Sequence, residues 1–197
     1  MKHGTDVNDK MRKSVIGVAG LGGLGSNISA MLTRMGVGKI VIADFDTVDL
    51  TNMNRQNYFS RHLGMNKTDA TEDVLKNIDP GITVEKHTVR LDSVNVTGIF
   101  GECDIVCEAF DSASEKTMLI QTLLAQCPSV RIVSGSGMAG YGMSNSIRAE
   151  KVLDRLYICG DGVDMTDRGS VLTAPRVMLC AAQMANTVVA LLMDREI

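Results

Sequence analysis

The feature that most constrains the fold of this chain is the glycine-rich segment at residues 20–25. It follows a short apolar run at residues 14–19 and precedes residues 24–35, whose apolar positions have helical spacing. Glycines between a strand and a helix permit a tight turn, let a phosphate approach main-chain N–H groups, and place it at the positive end of the helix. The segment predicts a nucleotide site, with tight strand–helix packing as the alternative, and it does not separate NAD from ATP. Its glycines are Gly20, Gly22, Gly23 and Gly25.

Segments with strand and helix patterns alternate along most of the chain. The predicted strands are residues 14–19, 39–43, 83–89, 105–109, 130–134, 144–149 and 156–159, and the predicted helices are residues 24–35, 67–78, 112–126 and 173–193. The last two strands have no helix between them, which predicts an antiparallel pair. We therefore expect one α/β domain over residues 1–197: a Rossmann-like, mostly parallel sheet flanked by helices, with antiparallel strands added at the C-terminal side and a polar N-terminal segment at residues 1–13.

Composition and charge exclude several classes of partner. The formal net charge of −3 offers no basic excess for a nucleic-acid backbone, so no nucleic-acid partner is expected. The polar start of the chain does not resemble a signal peptide, and the apolar stretch 177–193 is interrupted by polar residues, so a buried core or dimer helix is expected rather than a membrane span. The five cysteines form no Cys-x-x-Cys pair, so neither zinc nor disulfides are expected, and a reducing cytoplasm suits the chain.

The polar stretch at residues 44–66 favours ATP over NAD. It is long for a structureless loop, so it is expected to be functional or partly helical. Asp44 follows the second strand, where an acid can accept hydrogen bonds from ribose hydroxyls. Arg55 and Lys67 could neutralise the β- and γ-phosphates, and Asn52 could hydrogen-bond them. Each cation alone would be interpreted as a solvated surface group, but together beside a glycine segment they favour phosphates.

Asp111 follows the apolar strand at residues 105–109 and precedes a helix. Two interpretations remain open from its local sequence. It could cap the helix, as many aspartates do. It could instead be a ligand of Mg²⁺, which prefers one or two carboxylates together with phosphate oxygens.

Three consecutive motifs resemble the ThiF/MoeB/HesA family, the prokaryotic relatives of ubiquitin-activating enzymes. They are Gly-x-Gly-Gly-Leu-Gly-Ser from Gly20, Asp-Phe-Asp-Thr-Val from Asp44, and Asn-x-Asn-Arg-Gln from Asn52. The segments Gly-Met-Asn-Lys ending at Lys67 and Ala-Phe-Asp ending at Asp111 are similar to two further family segments. The resemblance extends over roughly residues 14–195 and is nearest to the short ThiF-like proteins of thiamine biosynthesis.

The resemblance implies an activity and a set of roles. Members of the family adenylate the C-terminal Gly-Gly carboxylate of a ubiquitin-fold sulfur carrier such as ThiS, with ATP and Mg²⁺, and act as homodimers. The implied catalytic residues are Arg55, Lys67 and Asp111. The implied nucleotide-binding residues are the four glycines together with Asp44, Asp46, Asn52, Arg55, Gln56 and Lys67, with Asp44 on the ribose, Gln56 supporting the phosphate contacts and Asp111 holding the metal.

The chain also departs from the family pattern. Larger members hold zinc with two Cys-x-x-Cys pairs, and many carry a cysteine in the loop before the last helix. Here residues 160–171 contain no cysteine, which leaves Cys159 as a weak candidate for covalent transfer. The family also uses an arginine from an N-terminal helix that reaches across the dimer, and only Arg12 is available for that role.

Three alternatives to carrier adenylation follow. The first is a nucleotide-binding partner of a ubiquitin-fold protein that performs no turnover, which the missing zinc pairs, N-terminal helix and loop cysteine would favour. The second is an NAD-dependent oxidoreductase, which needs only the glycine segment and Asp44. The third, a tRNA-modifying dehydratase of the same family, is disfavoured by the short chain and by the acidic isoelectric point near 5.6.

Overall fold

The computed structural model describes residues 5–162, 171–195 and 197, and a seven-stranded sheet forms its centre. The strands are β1 (Val15–Ala19), β2 (Lys39–Ala43), β3 (Thr83–His87), β4 (Ile105–Glu108), β5 (Arg131–Gly135), β6 (Arg148–Leu153) and β7 (Leu156–Gly160). The helices are α1 (Thr5–Lys13), α2 (Gly23–Arg34), α3 (Lys67–Ile78), α4 (Val96–Phe100), α5 (Ala113–Gln126) and α6 (Ala174–Leu192). The strand order is β3-β2-β1-β4-β5-β7-β6, and all neighbours are parallel except β6, which pairs antiparallel with β7.

The central strands are mostly apolar because both faces of the sheet are covered. Successive side chains of a strand point to opposite faces, so each strand contributes to two cores. In β1, Ile16 and Val18 belong to the core beneath α2 and α6, whereas Ala19 belongs to the core beneath α4 and α5. Gly17 also faces α4: a Cβ there would lie 2.7 Å from the Phe100 ring, so the absence of a side chain lets this helix pack against the sheet.

The order of the strands determines where a ligand can bind. The chain leaves β1 towards β2 and β3 on one side, then crosses to β4 and β5 on the other. In open α/β sheets a crevice forms at the carboxyl ends of the strands where the order reverses. Here that point lies between β1 and β4, directly beside the glycine segment.

The predicted polar loop folds back on itself. Two short 3₁₀ helices, Leu50–Asn52 and Ser60–His62, interrupt it, in agreement with the expectation of partial helix. Thr47 forms an antiparallel bridge with Asn66, and the Lys67 amide donates to the carbonyl of Asp46 at 2.9 Å. Residues distant in sequence are thereby brought to the end of β2.

The fold class predicted from the sequence is confirmed, and the bounds of β2 and α3 agree with the predicted ranges 39–43 and 67–78. Three details of the prediction were wrong. The predicted strand at 144–149 lies four residues later as β6, an edge strand whose mostly exposed side chains give no apolar alternation. Helix α4 was missed because it has only five residues. The polar segment at 1–13, in which an N-terminal helix was taken to be missing, contains helix α1, which Met11 anchors by complete burial in the core.

Helix α6 packs closely against α2 and the sheet. Among the described residues it is the one helix whose length and apolar composition, taken alone, would allow it to cross a membrane. Core helices pass the same test, and half of its apolar window is buried here.

Candidate functional site

A cleft of about 380 Å³ opens at the carboxyl ends of β1, β2, β4 and β5. Such a volume suits a nucleotide-sized ligand. We call residues 20–26 and 44–67 the loop side of the cleft, and residues 108–116 and 134–139 its strand side. The charged and polar residues that line it are Asp46, Asn52, Arg55, Gln56 and Lys67 from the loop side, and Asp111, Glu115, Lys116 and Ser136 from the strand side.

The glycine segment forms the turn from β1 into α2, and its members serve different purposes. Gly20 has a backbone φ of +87°, which residues with a side chain rarely adopt. A Cβ on Gly25 would lie 1.8 Å from the carbonyl oxygen of Gly20, so this glycine permits the helix to start against the turn. At Gly22, by contrast, the nearest atom to such a Cβ is the Gln56 amide nitrogen at 3.9 Å. Gly22 and Gly23 line the cleft, and Gly22 leaves space there that no protein atom fills.

The N-terminus of α2 faces this space without a cap. Gly22 occupies the N-cap position, and no side chain accepts a hydrogen bond from the first turn of the helix. The first N–H groups of a helix are unsatisfied unless a side chain, water or ligand accepts from them, and the helix dipole favours an anion there. The arrangement therefore fits a phosphate group.

Asp44 lies beneath the glycine segment and does not line the main cleft. One carboxylate oxygen accepts from the Leu21 amide at 2.6 Å, and the other accepts from the Asp46 amide at 2.8 Å. Burial raises the pKa of Asp44, while the charge of Lys67 and the two amide hydrogen bonds oppose that increase. In this conformation both oxygens hold backbone in place, and the predicted ribose contact stays a prediction.

Lys67 and Asp46 form an ion pair on the loop side. The Lys67 ammonium donates to the Asp46 carboxylate at 2.7 Å and lies 3.9 Å from the Asp44 carboxylate. Its side chain is only 7% exposed, whereas that of Asp46 is 49% exposed. Lys67 is the first residue of α3, and the folded-back loop brings it into the cleft 21 residues after Asp46.

Arg55 is a cation in the cleft without an acidic partner among the described residues. Its guanidinium donates to the side-chain oxygens of Asn52 at 2.9 Å and Asn54 at 3.0 Å, both uncharged. The neighbouring Gln56 is buried, and its Oε1 atom has no hydrogen-bond partner in the part of the chain that the structure describes. Buried polar atoms are normally paired, so an unpartnered acceptor and an uncompensated cation in one cleft are features that favour a ligand-binding site.

Asp111 lies on the strand side with an exposed carboxylate. The N-cap of α5 is the next residue, Ser112, so Asp111 does not serve as the cap, which was one of its two sequence interpretations. The described residues contain no cluster of three or more potential metal ligands. A Mg²⁺ ion that takes most of its oxygens from phosphates and water needs only one or two carboxylates, so Asp111 fits that requirement.

A buried polar network that was not among the predicted site residues lies on the strand side. Glu108, at the end of β4, is fully buried, and its carboxylate accepts from the Lys116 ammonium, from Ser134 Oγ at 2.6 Å and from the Phe110 amide at 2.8 Å. Lys116 also donates to the Gly135 carbonyl at 2.8 Å. The signal was present in the sequence: an ionisable residue at the end of an otherwise apolar strand requires a buried partner.

Two residues to which the family resemblance gives possible roles, Arg12 and Cys159, do not line the cleft. Arg12 is in α1, just before β1, at the opposite end of the sheet, and it pairs with Asp79 at 3.0 Å. Cys159 is completely buried inside β7, and burial raises the pKa of its thiol to about 11. An inaccessible, protonated thiol is a poor nucleophile. The segment 160–171 before the last helix lies mostly outside the described residues.

The sequence matches the profile of the ThiF family over residues 1–196. It is 27% identical over 191 residues to ubiquitin-like modifier-activating enzyme 5 of Caenorhabditis briggsae, which covers 91% of this chain and 44% of that protein. It is 39% identical over 89 residues to the protein of the same name from Oryza sativa subsp. japonica, which covers 45% of this chain and 21% of that protein. The chain thus spans less than half the length of either relative.

Solved structures share the fold at low sequence identity. E. coli tRNA N6-threonylcarbamoyladenosine dehydratase in complex with ATP superposes with a TM-score of 0.89 at 18% identity, covering 98% of this chain and 90% of that chain. E. coli MccB with MccA-N7isoASN superposes with a TM-score of 0.73 at 20% identity, covering 95% and 59%. The chain therefore corresponds to nearly the full length of the dehydratase chain and to about three fifths of the MccB chain.

Proposed function

The chain belongs to the ThiF family, and from this premise we propose that it uses ATP to adenylate the C-terminal carboxylate of a small ubiquitin-fold protein. The finer proposal is that this protein is a ThiS-like sulfur carrier ending in Gly-Gly, in thiamine biosynthesis. The relatives named as ubiquitin-like modifier-activating enzymes support a ubiquitin-fold substrate, and the structural neighbour with bound ATP supports the nucleotide.

The reaction requires positioning and charge neutralisation more than covalent chemistry by the protein. A carboxylate oxygen attacks the α-phosphorus, a new bond between that oxygen and phosphorus forms, and the bond from the α-phosphorus to the bridging oxygen breaks. Pyrophosphate leaves with the bonding electrons, and no proton moves. The uncapped start of α2 binds phosphate oxygens, and Arg55 and Lys67 offset the charge that accumulates on the leaving pyrophosphate. Asp111 is the residue that would hold Mg²⁺, which supplies further neutralisation on the phosphates when bound.

The observation that carries the proposal is the unpaired charge of Arg55. Arg61 belongs to the same loop but is half exposed and bound to Asp73 at 2.9 Å, which is the usual situation of a surface arginine. Arg55 instead lies in the cleft, beside the glycine segment, and bonds only neutral amide oxygens among the described residues. A triphosphate supplies the missing negative charge.

The ion pair of Lys67 with Asp46 adds a condition to this proposal. Since Asp46 already accepts from the ammonium, a phosphate oxygen must share or replace that hydrogen bond. The half-exposed Asp46 carboxylate is the more mobile partner, whereas Lys67 is held by burial. We expect Asp46 to turn away when ATP binds, and Asp44 to keep the ammonium in place through its longer contact.

The test is exchange of labelled pyrophosphate into ATP in the presence of a ThiS-type carrier. Matched arms use the same carrier without its two terminal glycines, carrier-free enzyme, enzyme with EDTA in place of Mg²⁺, and bulk tRNA in place of carrier. Exchange that requires both Mg²⁺ and the Gly-Gly terminus is the expected result. ATP binding without exchange in any arm contradicts the proposal, and exchange stimulated by tRNA alone would transfer it to the dehydratase class.

A nucleotide-binding partner without turnover is the second candidate function. The burial of Cys159 and the absence of cysteine from residues 160–171 favour it, because no thiol is available for transfer in this part of the chain. The helix α1 removes one argument for it, since an N-terminal helix is present. Cellular function that survives Arg55→Ala would favour this candidate, and stronger thermal stabilisation by NADH than by ATP would favour an oxidoreductase.

We also propose that the protein is a cytoplasmic homodimer. Met178 and Leu179 on α6, and Tyr141 in the loop after β5, expose apolar surface that a second copy would cover. Light scattering coupled to size-exclusion chromatography measures the mass directly, and a monomer at micromolar concentration would contradict this part.

A further inference from the structure

Lys116 is the one cation that lines the strand side of the cleft within the described residues. Its ammonium donates to the Glu108 carboxylate and to the Gly135 carbonyl. An ammonium group has three N–H donors, so one donor is not used by the residues described. The side chain is 23% exposed and lines the cleft, so a ligand in the cleft can reach it.

The network around Glu108 fixes the position of this ammonium. Glu108 is completely buried and accepts from Ser134, from the Phe110 amide and from Lys116 itself. A lysine side chain normally samples many rotamers, and immobilising it in advance removes that cost from ligand binding. The structure therefore holds a preorganised donor at the ends of β4 and β5.

The location suits the second substrate rather than the nucleotide. Arg55 and Lys67 lie on the loop side, beside the glycine segment that follows β1. The end of β5 is two strands away from β1, which corresponds to about 10 Å. A group bound there would approach the α-phosphate from the side opposite to the cations that hold the triphosphate.

A carboxylate approaching that point needs a donor. It carries the same sign of charge as the phosphates, and Asp111 and Glu115 on the same side of the cleft add to the repulsion. Glu115 forms an ion pair with Arg90 at 2.6 Å, which reduces its repulsion of a carboxylate. Asp111 has no ion-pair partner among the described residues, so its charge is offset only when a cation such as Mg²⁺ binds to it. The free donor of Lys116 is the group on this side that can offset the repulsion.

We propose that Lys116 is a substrate-binding residue that donates a hydrogen bond to the carboxylate to be adenylated, with Glu108 as the residue that positions it. This inference rests on the proposed function, since it concerns the second substrate of the same reaction. Glu108 already balances the charge of Lys116, so the contribution is that of one charge-assisted hydrogen bond. Its loss should weaken carboxylate binding by about 10- to 100-fold.

The test compares a ThiS-type carrier with the same carrier bearing a C-terminal amide. Dissociation constants are measured by calorimetry in the presence of a non-hydrolysable ATP analogue. Lys116→Met alone would leave Glu108 buried without its partner and could unfold the protein. The main variant is therefore the double substitution Glu108→Gln/Lys116→Met, which removes both charges, and Lys116→Arg is the variant that keeps the cation.

The wild type should bind the carboxylate form about 10- to 100-fold more tightly than the amide, and the double variant should bind both forms alike. Lys116→Arg should retain part of the discrimination, and the affinity for the ATP analogue should be unchanged in all variants. Undiminished discrimination in the double variant overturns the inference, as does a wild type that binds both forms equally or a loss confined to the ATP analogue.

The binding measurement needs no turnover, so it is separable from the exchange assay. Discrimination that depends on Lys116 without pyrophosphate exchange would support the residue assignment and contradict adenylation. Exchange without any effect of the substitutions would leave the proposed function standing and refute the role of Lys116. A wild type that binds neither form of the carrier contradicts both proposals.

Discussion

The loop side and the strand side of the cleft hold their charges in opposite ways. On the loop side, Arg55 donates hydrogen bonds only to neutral side chains among the described residues. Lys67 donates a hydrogen bond to the half-exposed carboxylate of Asp46. On the strand side, the carboxylate of Glu108 is completely buried and accepts three hydrogen bonds, one of them from Lys116. The first side has charge left for a ligand, whereas most of the charge on the second is used internally.

The difference indicates two tasks within one cleft. Uncompensated cations are costly to keep and are retained where an anion is to be bound. An ion pair such as that of Lys116 and Glu108 produces little net electrostatic field, but it fixes the positions of its groups, which suits the orientation of a substrate. Substitutions of the loop-side cations should therefore change nucleotide chemistry, whereas substitutions in the buried strand-side network should change stability and substrate position.

The largest effect is expected at Gly25, on which the geometry of the loop side depends. Gly25→Ala places a methyl group 1.8 Å from the carbonyl of Gly20, so backbone must move. We expect a loss of more than about 4 kcal/mol in the free energy of unfolding, beyond the usual range for overpacking. Urea denaturation measures it. Gly22→Ala is the matched control, since it has open space and should lose nucleotide affinity rather than stability.

Next in size is the effect of Arg55→Ala on pyrophosphate exchange. Removal of one preorganised cation should reduce the rate by about 10²- to 10³-fold. Arg61→Ala, in the same loop but paired with Asp73 outside the cleft, is the control and should keep the wild-type rate. Equal losses in the two variants would mean that the charge of Arg55 has no special place in the reaction.

A smaller effect is expected from Ser134→Ala on the strand side. The hydroxyl of Ser134 donates to the buried Glu108 carboxylate at 2.6 Å, and the variant leaves that charge with fewer donors. The free energy of unfolding should fall by about 1.5–3 kcal/mol, the range for hydrogen bonds to charged groups. Ser114→Ala, an exposed serine at the start of α5, should change it by less than about 0.5 kcal/mol. Similar changes in the free energy of unfolding for the two variants would show that the Ser134 hydrogen bond does not stabilise the buried Glu108 carboxylate.

The smallest effect concerns Asp73, which anchors the outer part of the loop side. Hydrogen bonds from His62 and then Arg61 lower the pKa of this carboxyl below its ordinary value of 3.8. A carboxyl whose pKa is lower in the folded state than in the unfolded state stabilises the fold at pH values above its unfolded-state pKa. That stabilisation is lost as the pH falls through the folded-state pKa. Asp73→Asn should therefore flatten the dependence of Tm on pH below about pH 4. Parallel curves for the two proteins would contradict this assignment.

The loop side could be predicted from the sequence to a large extent, because its groups follow one another along the chain. The glycine segment, Asn52, Arg55 and Gln56 lie within two short motifs, and the structure places Gly22, Gly23, Asn52, Arg55 and Gln56 together in the cleft lining. The position of Asp44 was not predictable in the same way. Its carboxylate engages the Leu21 amide, and only the path of the turn brings those atoms together.

The buried network on the strand side was not predicted, unlike Asp111, because its members come from three separate segments. Glu108, Lys116 and Ser134 meet only when β4 and β5 pair and α5 packs beside them. The sequence indicates that Glu108 needs a buried partner, but it does not indicate which residues supply the hydrogen bonds. The burial of Cys159 was likewise decided by packing, since β7 continues the sheet and α6 covers its thiol.

The sequence by itself determined the α/β alternation, the glycine turn and the identity of the loop-side cations, because period, turn chemistry and charge are local properties. The tertiary structure alone decided which charges are compensated. That outcome depends on burial and on partners from distant segments: Asp46 for Lys67, Glu108 for Lys116, and none among the described residues for Arg55. Desolvation makes an unpaired charge costly only once the chain has folded around it, so the distinction between the two sides exists in the fold and not in the motifs.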